Sequence, residues 1–536
     1  MMDKRTIAVM VACMLALFGL QYVTKIFFPP IPKKTPSAAA TNAAAEVASA
    51  ATNAPVEKIA PAPVKEPKPR PAEQIVALSN EFIRVEFTSW GGGIRTVELL
   101  QHKANGHGRV VLNKDAAAPA LALAGEAEEV FALEQSGPSS VVMRGPGVTK
   151  TVSLTSGYVL SGAVEWAQSP KSVGLVVGAV AQTYAKEAPL YLNVDWQNGP
   201  KWSNRDHSVV TKRTGKGQNH ELISARWVAV KNQYFTMVLM GPTNTTSVTY
   251  TPVTFTAPEG WDGKTAPVGV SATAEWPAQP GRFDFALYAG PKEYARLAAL
   301  GQGPGEVMDF GSWMDAYTGI FGMALFKGMA WCHKLIANYG VAIILVTILL
   351  RIVFWPIQAK SIKSMKDMQK FQPQMQKVRE KFKDDPQRMN QEMMKLYNEH
   401  KINPFSGCLP MLVQLPVLIA FYKVLSNASE LRGVSFLWIK DLSLPDTVAM
   451  VAGFPLNPLP LAMTAATIWQ QKITPTTGDS QQQKMMMFMP LIMLVFFYNM
   501  ASGLVLYWTA QQFLSIAQQW WSMRQPEPPA PVAKSK

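Results

Sequence analysis

An arginine interrupts an apolar run in the second half of the chain, and this run limits the folds that the chain can adopt. The run extends from Gly340 to Ile357 (GVAIILVTILLRIVFWPI) and is long enough to cross a bilayer as a helix. Arg351 lies within it, and a charged side chain near the centre of a spanning helix costs about 2.5–3.5 kcal/mol on insertion scales. Because arginine keeps its proton inside proteins, it cannot escape this cost by becoming neutral. The run therefore predicts a membrane protein in which water or polar groups surround Arg351.

A second interpretation of Arg351 stays open at this point. The residue lies six positions before Ile357, where the apolar run ends. A long basic side chain near a helix end can extend to the membrane surface while its apolar stem stays in lipid. In that case the charge would have no role in a polar cavity.

The composition indicates a chain that is partly membrane-embedded and partly soluble. Of its 536 residues, 48% are hydrophobic and 16% are charged, whereas about 25% charged residues is usual for soluble proteins. Apolar residues concentrate before residue 30 and after residue 336. The net charge is +14, and much of the excess lies between Lys360 and Lys401, which holds eleven basic and six acidic residues. This local excess does not predict a specific nucleic-acid partner.

The sequence lacks the motifs that would indicate catalysis or a cofactor. The cysteines are Cys13, Cys332 and Cys408, so none lies in the soluble segment, and their spacing excludes a cysteine-based zinc site. The chain has neither the G-x-x-x-x-G-K-S/T phosphate loop nor the G-x-G-x-x-G dinucleotide motif. We therefore expect no catalytic residue, no metal, no cofactor and no nucleotide-driven pump.

Apolar runs predict six membrane spans, and short alternating stretches between the first two spans predict a domain of strands. These stretches are bounded by Gly, Pro or Asn, and they are Phe82–Thr88, Thr151–Leu154, Tyr191–Trp196, Trp227–Met240, Ser247–Thr256 and Phe283–Ala289. Many short strands at such spacing favour a β-sandwich. We therefore expect a polytopic α-helical membrane protein with a large all-β sandwich domain.

The order of the expected segments, together with the charge of one loop, predicts the orientation of the chain in the membrane. The segments are a transmembrane anchor (1–27), a disordered Pro/Ala-rich linker (28–74), the β-sandwich domain (75–305), an interfacial amphipathic helix (306–339), span 2 (340–357), a helical hairpin loop (358–407), span 3 (408–425), an outer loop (426–455), span 4 (456–473), a short loop (474–484), span 5 (485–500), span 6 (503–521) and a tail (522–536). The loop after span 2 is strongly basic, and such loops stay in the cytoplasm. Both termini are then cytoplasmic, and the β-domain lies on the opposite side.

The basic loop is predicted to be a pair of antiparallel helices. Asp385 can cap the second helix, with Pro386 at its first position. The apolar stripe of the pair is rich in methionine, namely Met365, Met368, Met375, Met389, Met393 and Met394. Methionine suits surfaces that meet varied partners, but the same residues can also join the two helices. The basic face could contact anionic lipid, ribosomal RNA or a partner protein, and the sequence does not separate these three.

The second half of the chain contains an ordered series of short motifs. They are Thr347-x-x-x-Arg351-x-x-x-x-Pro356, Gln372-Pro373, Asp385, Gln391-Glu392-Met393-Met394-x-Leu396-Tyr397, Asn403-Pro404, Gly407-Cys408-x-Pro410, Leu415-Pro416, Leu431-Arg432, Pro475-Thr476-Thr477, Met489-Pro490 and Ser502-Gly503-Leu504-Val505-Leu506-Tyr507. In these motifs and in their order, the chain resembles the YidC/Oxa/Alb family of membrane protein insertases. The β-domain resembles the periplasmic domain of the Gram-negative members through Trp227–Phe235 and Leu287–Pro291.

The resemblance implies a function, a location and partners. It implies insertion of membrane proteins into the inner membrane from the cytoplasm, alone or with the Sec translocon. The five core spans would surround a hydrophilic groove that is open to the cytoplasm and to lipid. Nascent membrane proteins would be the substrates. The Sec translocon with its associated subunits, the ribosome and anionic lipid would be partners.

The resemblance also implies a set of substrate-groove residues. Arg351 matches the groove arginine, and Thr347, one turn away, matches a polar position that contacts substrate. Tyr507 and Trp508 occupy the positions of two adjacent tyrosines, so one hydroxyl is lost. From the residues alone, Gln414 and Asn499 could line the groove or bond a neighbouring helix.

Two other functions remain open from the sequence. A basic intramembrane site could bind a small anion in a transporter or channel, although the spans contain no inverted repeat. Alternatively, the β-domain resembles sugar mutarotases, and the pairs Asp206-His207 and His220-Glu221 could imitate a carbohydrate-binding or enzymatic site.

Overall fold

A computed structural model describes most of the chain after residue 70. The described residues are 71–104, 108–183, 187, 191–197, 205–209, 218–257, 261, 266–277, 280–301, 304–308, 315–382, 385–399, 409–474 and 480–524. The anchor expected over 1–27 and nearly all of the linker expected over 28–74 lie outside these residues.

The first half of the described chain is built from antiparallel strands. They are β1 (Ile75–Ser79), β2 (Ile83–Thr88), β3 (Gly93–Lys103), β4 (Arg109–Leu112), β5 (Ala132–Gly137), β6 (Ser140–Gly145), β7 (Val148–Leu154), β8 (Val159–Trp166), β9 (Ser172–Ala181), β10 (Asn193–Gln197), β11 (Arg205–Val209), β12 (Gln218–Lys231), β13 (Phe235–Thr254), β14 (Val268–Pro277) and β15 (Arg282–Pro291). Among the described residues, β1 to β4 form one sheet in sequence order. The others form a second sheet in the order β11-β10-β12-β13-β15-β8-β7-β6-β5, with β14 beside β13 and β9 beside β14.

Side chains of the two sheets share one apolar core. Burial alternates along β7 from Val148 to Leu154, as expected where one face of a strand meets a core. The core joins side chains of the smaller sheet, such as Phe87, to side chains of the larger one, such as Trp276. The predicted β-sandwich is therefore confirmed.

The predicted strand Trp227–Met240 is wrong as a single element. A turn at residues 232–234 separates β12 from β13, and the two strands pair as a hairpin with Lys231 opposite Thr236. The Asn232 side chain forms this turn, because its Oδ1 accepts hydrogen bonds from the backbone N–H groups of Tyr234 (3.0 Å) and Phe235 (2.7 Å). Asparagine favours such turns, and the long apolar stretch around it concealed this signal.

The second half of the described chain is helical. The helices are α1 (Tyr294–Ala299), α2 (Asp315–Ile336), α3 (Tyr339–Lys370), α4 (Gln372–Lys381), α5 (Pro386–Glu399), α6 (Leu409–Asn427), α7 (Pro458–Ile473), α8 (Ser480–Phe497) and α9 (Ser502–Arg524). Between α6 and α7 a small hairpin forms from β16 (Ala449–Val451) and β17 (Phe454–Leu456). A β-sandwich joined to a helical region is thus the architecture of the chain.

Helix α3 is longer than the apolar run that predicted it. It contains 32 residues, or about 48 Å at 1.5 Å per residue, so it exceeds the thickness of a bilayer core. It passes through Pro356 and ends at Lys370, because Gln358–Lys370 is rich in residues that favour helix. Among the described residues, α3 is the one helix whose length and composition suit a membrane crossing, and Met487–Phe497 is a shorter apolar stretch. The number of spans stays a prediction.

The helices enclose a second apolar core. Helices α2, α3, α6, α7 and α9 contribute side chains to it, for example Met329, Ile343, Phe421, Met463 and Leu506. Helix α2 lies over part of the segment that was expected to be an interfacial helix. It buries Leu325, Met329 and Cys332, whereas Trp331 and Leu335 are exposed.

The two helices of the basic loop form a smaller unit. The Asp385 carboxylate accepts a hydrogen bond from the backbone N–H of Arg388 at 3.0 Å, and α5 begins at Pro386, so the predicted cap is confirmed. Met368, Met375 and Met393 form the buried centre of this unit.

The β-domain and the helical region meet at a polar contact, which we call the interdomain seam. It consists of Tyr191, Gln233 and Lys292 of the β-domain and Tyr422, Ser426, Asn427 and Arg432 at the C-terminal end of α6 and beyond it. Gln233 Nε2 donates to the Ser426 carbonyl at 2.7 Å, and Lys292 Nζ donates to Asn427 Oδ1 at 3.3 Å.

Arg432 connects the helical region to several parts of the β-domain. Its guanidinium donates to Thr183 Oγ1 at 3.2 Å and to the Lys103 carbonyl at 3.1 Å. It also lies over the rings of Tyr234 and Phe235, at 5.4 and 5.3 Å from their centroids. One side chain of the helical region thus contacts three separate segments of the β-domain, which fixes the relative orientation of the two parts.

Candidate functional site

Helix α3 buries polar side chains on one face and exposes apolar side chains on the other. Thr347, Arg351, Gln358 and Ser361 recur at helical spacing and are all buried, and Arg351 is only 7% exposed. The apolar side chains of the other face are open, with Ile352 at 61% and Val353 at 66% exposure. Leu349 and Trp355 are also exposed. A soluble helix shows the opposite arrangement, so this pattern suits a helix with lipid on one face and a polar interior on the other.

A tyrosine on α9 joins two helices within this interior. The ring of Tyr507 stacks on Phe421 of α6, with centroids 3.9 Å apart and planes 13° apart. Its hydroxyl accepts a hydrogen bond from Gln414 Nε2, two turns from Phe421 on the same face of α6. Tyr507 and Arg351 are near enough to interact electrostatically. The structure thus brings Arg351, Gln414 and Tyr507 to the same interior.

Arg351 has an incomplete set of partners. Its Nε is buried and has no hydrogen-bond partner among the described residues, and none of the described carboxylates forms an ion pair with it. A buried donor without a partner costs about 1–3 kcal/mol, and more if it is charged. The site is therefore suited to a bound group that is negatively charged or forms strong hydrogen bonds.

The other predicted groove residues have different surroundings. Thr347 is fully buried, and its hydroxyl donates to the Ile343 carbonyl of its own helix at 2.7 Å. Trp508 is partly buried and packs against Phe497 of α8, with centroids 5.6 Å apart. Consecutive helix residues differ by about 100° in direction, so Tyr507 and Trp508 meet different neighbours. Asn499 lies beyond the end of α8 and is exposed.

Several glutamines of α9 lie within the helical region and were missed by sequence reasoning. Gln511 Nε2 donates to Gln414 Oε1 at 3.4 Å, and Gln512 Nε2 donates to Thr467 Oγ1 of α7 at 3.1 Å. Gln518 is buried, and its side-chain amide has no partner among the described residues. The signal was available, because Tyr507, Gln511 and Gln518 are spaced by four and seven residues and therefore share one face.

The methionines predicted to form the apolar stripe of the basic loop differ in how deeply they are buried. Met368, Met375 and Met393 are buried between helices, and Met365 and Met389 are partly buried. Met394 is 51% exposed. Most of the stripe therefore joins the helices, and Met394 is the member that remains most open to a partner.

The histidine pairs of the β-domain are not neighbours in the sheet. His207 on β11 lies opposite Asp195 of β10, which in turn lies opposite Ala229 of β12. His220 pairs with Val248 instead, nine positions before Ala229 along β12. Nine strand residues span about 30 Å, so the backbone does not gather the two pairs into one site.

Comparisons with known proteins identify the family. A family model described as 60Kd inner membrane protein matches residues 331–528, and one described as YidC periplasmic domain matches residues 170–322. The membrane protein insertase YidC of Geotalea daltonii is 31% identical over 552 residues, which cover 97% of this chain and 98% of the relative. The chain belongs to the YidC family. YidC proteins of this kind are inner-membrane proteins with a periplasmic domain.

Other YidC relatives match over shorter segments. The insertase of Syntrophus aciditrophicus is 45% identical over 250 residues, which cover 46% of this chain and 44% of the relative. That of Nitratidesulfovibrio vulgaris strain DP4 is 37% identical over 369 residues, which cover 66% of this chain and 63% of the relative. The chain thus spans less than two thirds of the length of these two relatives.

Solved structures show more distant likenesses. A crystal structure of an active YidC insertase with its first transmembrane domain resolved has a TM-score of 0.38 and 20% identity, and the match covers 84% of this chain and 92% of that chain. A galactose mutarotase related enzyme from Lactobacillus acidophilus has a TM-score of 0.28 and 12% identity, over 40% of this chain and 97% of its own.

Proposed function

We propose that this chain is a membrane protein insertase, which takes membrane proteins from the cytoplasm and releases them into the inner membrane. One observation carries the proposal: α3 buries the polar stripe of Thr347, Arg351, Gln358 and Ser361 and exposes apolar side chains on its other face. A polar interior beside a lipid-facing surface is what a hydrophilic segment needs in order to enter a bilayer. The names of the YidC relatives support the same activity.

In the proposed arrangement, α3, α6, α7, α8 and α9 cross the membrane, and the anchor adds a sixth span. The outer ends of these helices meet the loop between α6 and α7. A side chain at Gly340 would collide with Phe436, and one at Gly503 would lie 3.1 Å from the Leu442 carbonyl. This close packing supports a groove that is closed toward the periplasm. Both termini would then lie in the cytoplasm.

This arrangement puts Arg351 near the middle of the bilayer. It lies twelve residues after Tyr339, where α3 begins, which corresponds to about 18 Å along the helix. The hydrocarbon core is about 30 Å thick. An arginine at that depth cannot simply extend to the membrane surface, so its burial supports a role in the groove.

The proposed mechanism uses charge and hydration and needs no covalent step. Arg351 attracts an acidic tail of the substrate into the groove, which shortens the apolar distance that remains. When the outside is positive, outward movement of each negative charge is favoured by about 2.3 kcal/mol per 100 mV. Gln414, Gln511 and Tyr507 offer hydrogen bonds to backbone groups that would otherwise lose water. The apolar segment of the substrate slides along the exposed face of α3 and leaves sideways into lipid.

The cytoplasmic hairpin of α4 and α5 is proposed to receive partners. Its two helices hold five basic and three acidic residues, and Met394 offers an exposed apolar side chain on the second helix. Basic and flexible apolar groups together suit ribosomes, anionic lipid and the Sec translocon. Nascent membrane proteins would reach the groove from this side.

The proposal is tested by reconstitution. The purified chain is placed in liposomes, a small single-span protein with an acidic tail is added, and insertion is read as protection from protease. Insertion well above that of empty liposomes supports the proposal. A second set of liposomes also contains the Sec translocon. No insertion in either set, with the chain shown to be folded, would contradict it. Ion flux without insertion would favour a small-anion transporter.

A further inference from the structure

The loop between α6 and α7 exposes large apolar side chains at the outer end of the helical region. Leu437 is 75% exposed, Met450 64% and Phe454 76%, and Trp438 and Val451 are also open. No charged residue occurs from Val448 to Leu456. Loops that face water are usually polar, so an exposed apolar cluster of this size needs an occupant.

The small hairpin of β16 and β17 gives this cluster a fixed shape. Val451 pairs with Phe454, so two residues form the turn. These are Ala452 and Gly453, with φ values of 49° and 82°. Two positive φ angles are typical of the tight type I′ turn. Paired residues lie on the same face of a hairpin, so Val451 and Phe454 form one apolar tip.

The hairpin is held firmly against the ends of two helices. Tyr498, which follows α8, donates from its hydroxyl to the Pro455 carbonyl at 2.6 Å. Asn457, just before α7, donates from Nδ2 to the Tyr498 carbonyl at 2.6 Å and accepts from Thr447 Oγ1 at 2.7 Å. The apolar tip is therefore set at the outer ends of α7 and α8.

The exposed apolar surface continues from the hairpin onto α8. Val495 is 78% exposed and Phe496 is 59% exposed, and both lie within one turn of Tyr498. Trp438, in the loop that precedes the hairpin, is partly exposed, and its indole N–H donates to Asp446 at 3.1 Å. Tryptophan with its polar edge satisfied is common where a membrane meets water.

From these observations we infer that the hairpin of β16 and β17, together with Leu437 and Trp438, is a lipid-binding wedge in the outer leaflet of the membrane. The inference rests on the membrane placement of α7 and α8 proposed above. Phospholipid is the occupant that fits, because the uncharged tip continues the exposed apolar surface of α8, which the proposed arrangement places in lipid. The hairpin has open strand edges, whose N–H and C=O groups need water, so it lies at the level of the headgroups. A depth of about 5–10 Å is typical of such interfacial elements.

The wedge is tested on the full chain in phospholipid vesicles. The cysteines Cys13, Cys332 and Cys408 are replaced, and single cysteines carry an environment-sensitive fluorophore. The probe sites are Phe454→Cys at the tip, Val495→Cys on α8 as a lipid-facing reference, and Lys440→Cys in the same loop as an exposed polar reference. Lipids that carry bromine at different depths quench the fluorescence of a probe that lies in the bilayer. Iodide quenches the fluorescence of a probe that is exposed to water.

The expected result is lipid quenching at Phe454→Cys that is several-fold stronger than at Lys440→Cys. The strongest quenching there should come from lipids brominated near the headgroup, and Val495→Cys, near the same end of α8, should also be quenched by lipid. Iodide quenching equal to that of Lys440→Cys, with Val495→Cys still quenched by lipid, would overturn the wedge and leave the membrane placement standing. Shielding of Phe454→Cys only when a substrate protein is added would also overturn it, in favour of a protein occupant. Loss of lipid quenching at Val495→Cys would instead overturn the membrane placement.

Discussion

At the scale of single residues, the charge of Arg351 has the clearest predicted effect. If Arg351 attracts acidic tails, Arg351→Gln should reduce insertion of an acidic-tailed substrate about tenfold, which corresponds to about 1.4 kcal/mol, and should affect a neutral-tailed substrate much less. Arg351→Lys should retain part of the activity, because it keeps the charge but loses the planar donor group. Protease protection in liposomes measures both substrates side by side.

The control for this prediction lies on the same helix. Lys360 is exposed nine residues further along α3, so Lys360→Gln removes one positive charge outside the interior and should leave insertion nearly unchanged. Equal losses for the acidic and neutral substrates with Arg351→Gln would contradict attraction and would assign Arg351 to hydration of the groove.

A glycine near the start of α3 is predicted to be fixed by packing. A Cβ at Gly340 would lie 2.2 Å from the Phe436 ring, so Gly340→Ala should lower the free energy of unfolding by about 1–3 kcal/mol. Gly328→Ala on α2 is the matched control, because its Cβ would meet Val346 at an ordinary 3.6 Å. Helix propensity then favours alanine there by up to about 1 kcal/mol. Thermal unfolding in detergent should shift in opposite directions for the two variants, and a shared direction would contradict the packing argument.

At the scale of elements, different methionines of the hairpin of α4 and α5 are predicted to serve its stability and its binding of partners. Met375 is 2% exposed between α4 and α5, so Met375→Ala should destabilise the pair by about 2–5 kcal/mol. Hydrogen exchange in α4 and α5 should become faster. Met394→Ala should leave exchange unchanged but weaken insertion of substrates that arrive on ribosomes. Faster exchange in Met394→Ala would show that this residue also belongs to the hairpin core.

Helix boundaries and turns differ in how well the sequence predicts them. The cap at Asp385 and the start of α5 at Pro386 were predicted, because capping depends on residues a few positions apart. The turn at Asn232 was missed, although it is equally local, because long apolar stretches on both sides favoured one continuous strand. The continuation of α3 beyond Ile357 was also missed, since loss of hydrophobicity marks the edge of an apolar run and not the end of a helix.

At the scale of the whole molecule, the interdomain seam is predicted to weaken as the pH rises. Burial raises the pKa of Glu430 to about 7, and the nearby Glu293 carboxylate raises it as well. Burial also raises the pKa of Glu187, which accepts a hydrogen bond from the Gln233 backbone at 2.7 Å beside the seam. Because the folded state then binds more protons than the unfolded state, stability should fall as the pH rises from about 4.5 through 7.

Replacement of Glu430 tests the pH dependence. Glu430→Gln mimics the protonated form and should make thermal stability less dependent on pH between 5 and 8, a range that follows from the raised pKa. Glu81→Gln, at an exposed position of the same β-domain, is the control and should keep the wild-type dependence. An unchanged slope in Glu430→Gln would contradict the assignment.

The sequence by itself determined the class of the protein and most of its elements. Hydrophobic runs, alternating strands and the order of the matching motifs are properties of neighbouring residues, so they predicted a β-sandwich, a helical region and the family without any knowledge of contacts. Tertiary structure decided which side chains meet. The bond from Gln414 to Tyr507 joins residues 93 positions apart, and that from Gln233 to Ser426 joins residues 193 positions apart. Contacts of this kind depend on how helices and sheets pack, and no periodicity within one segment encodes them.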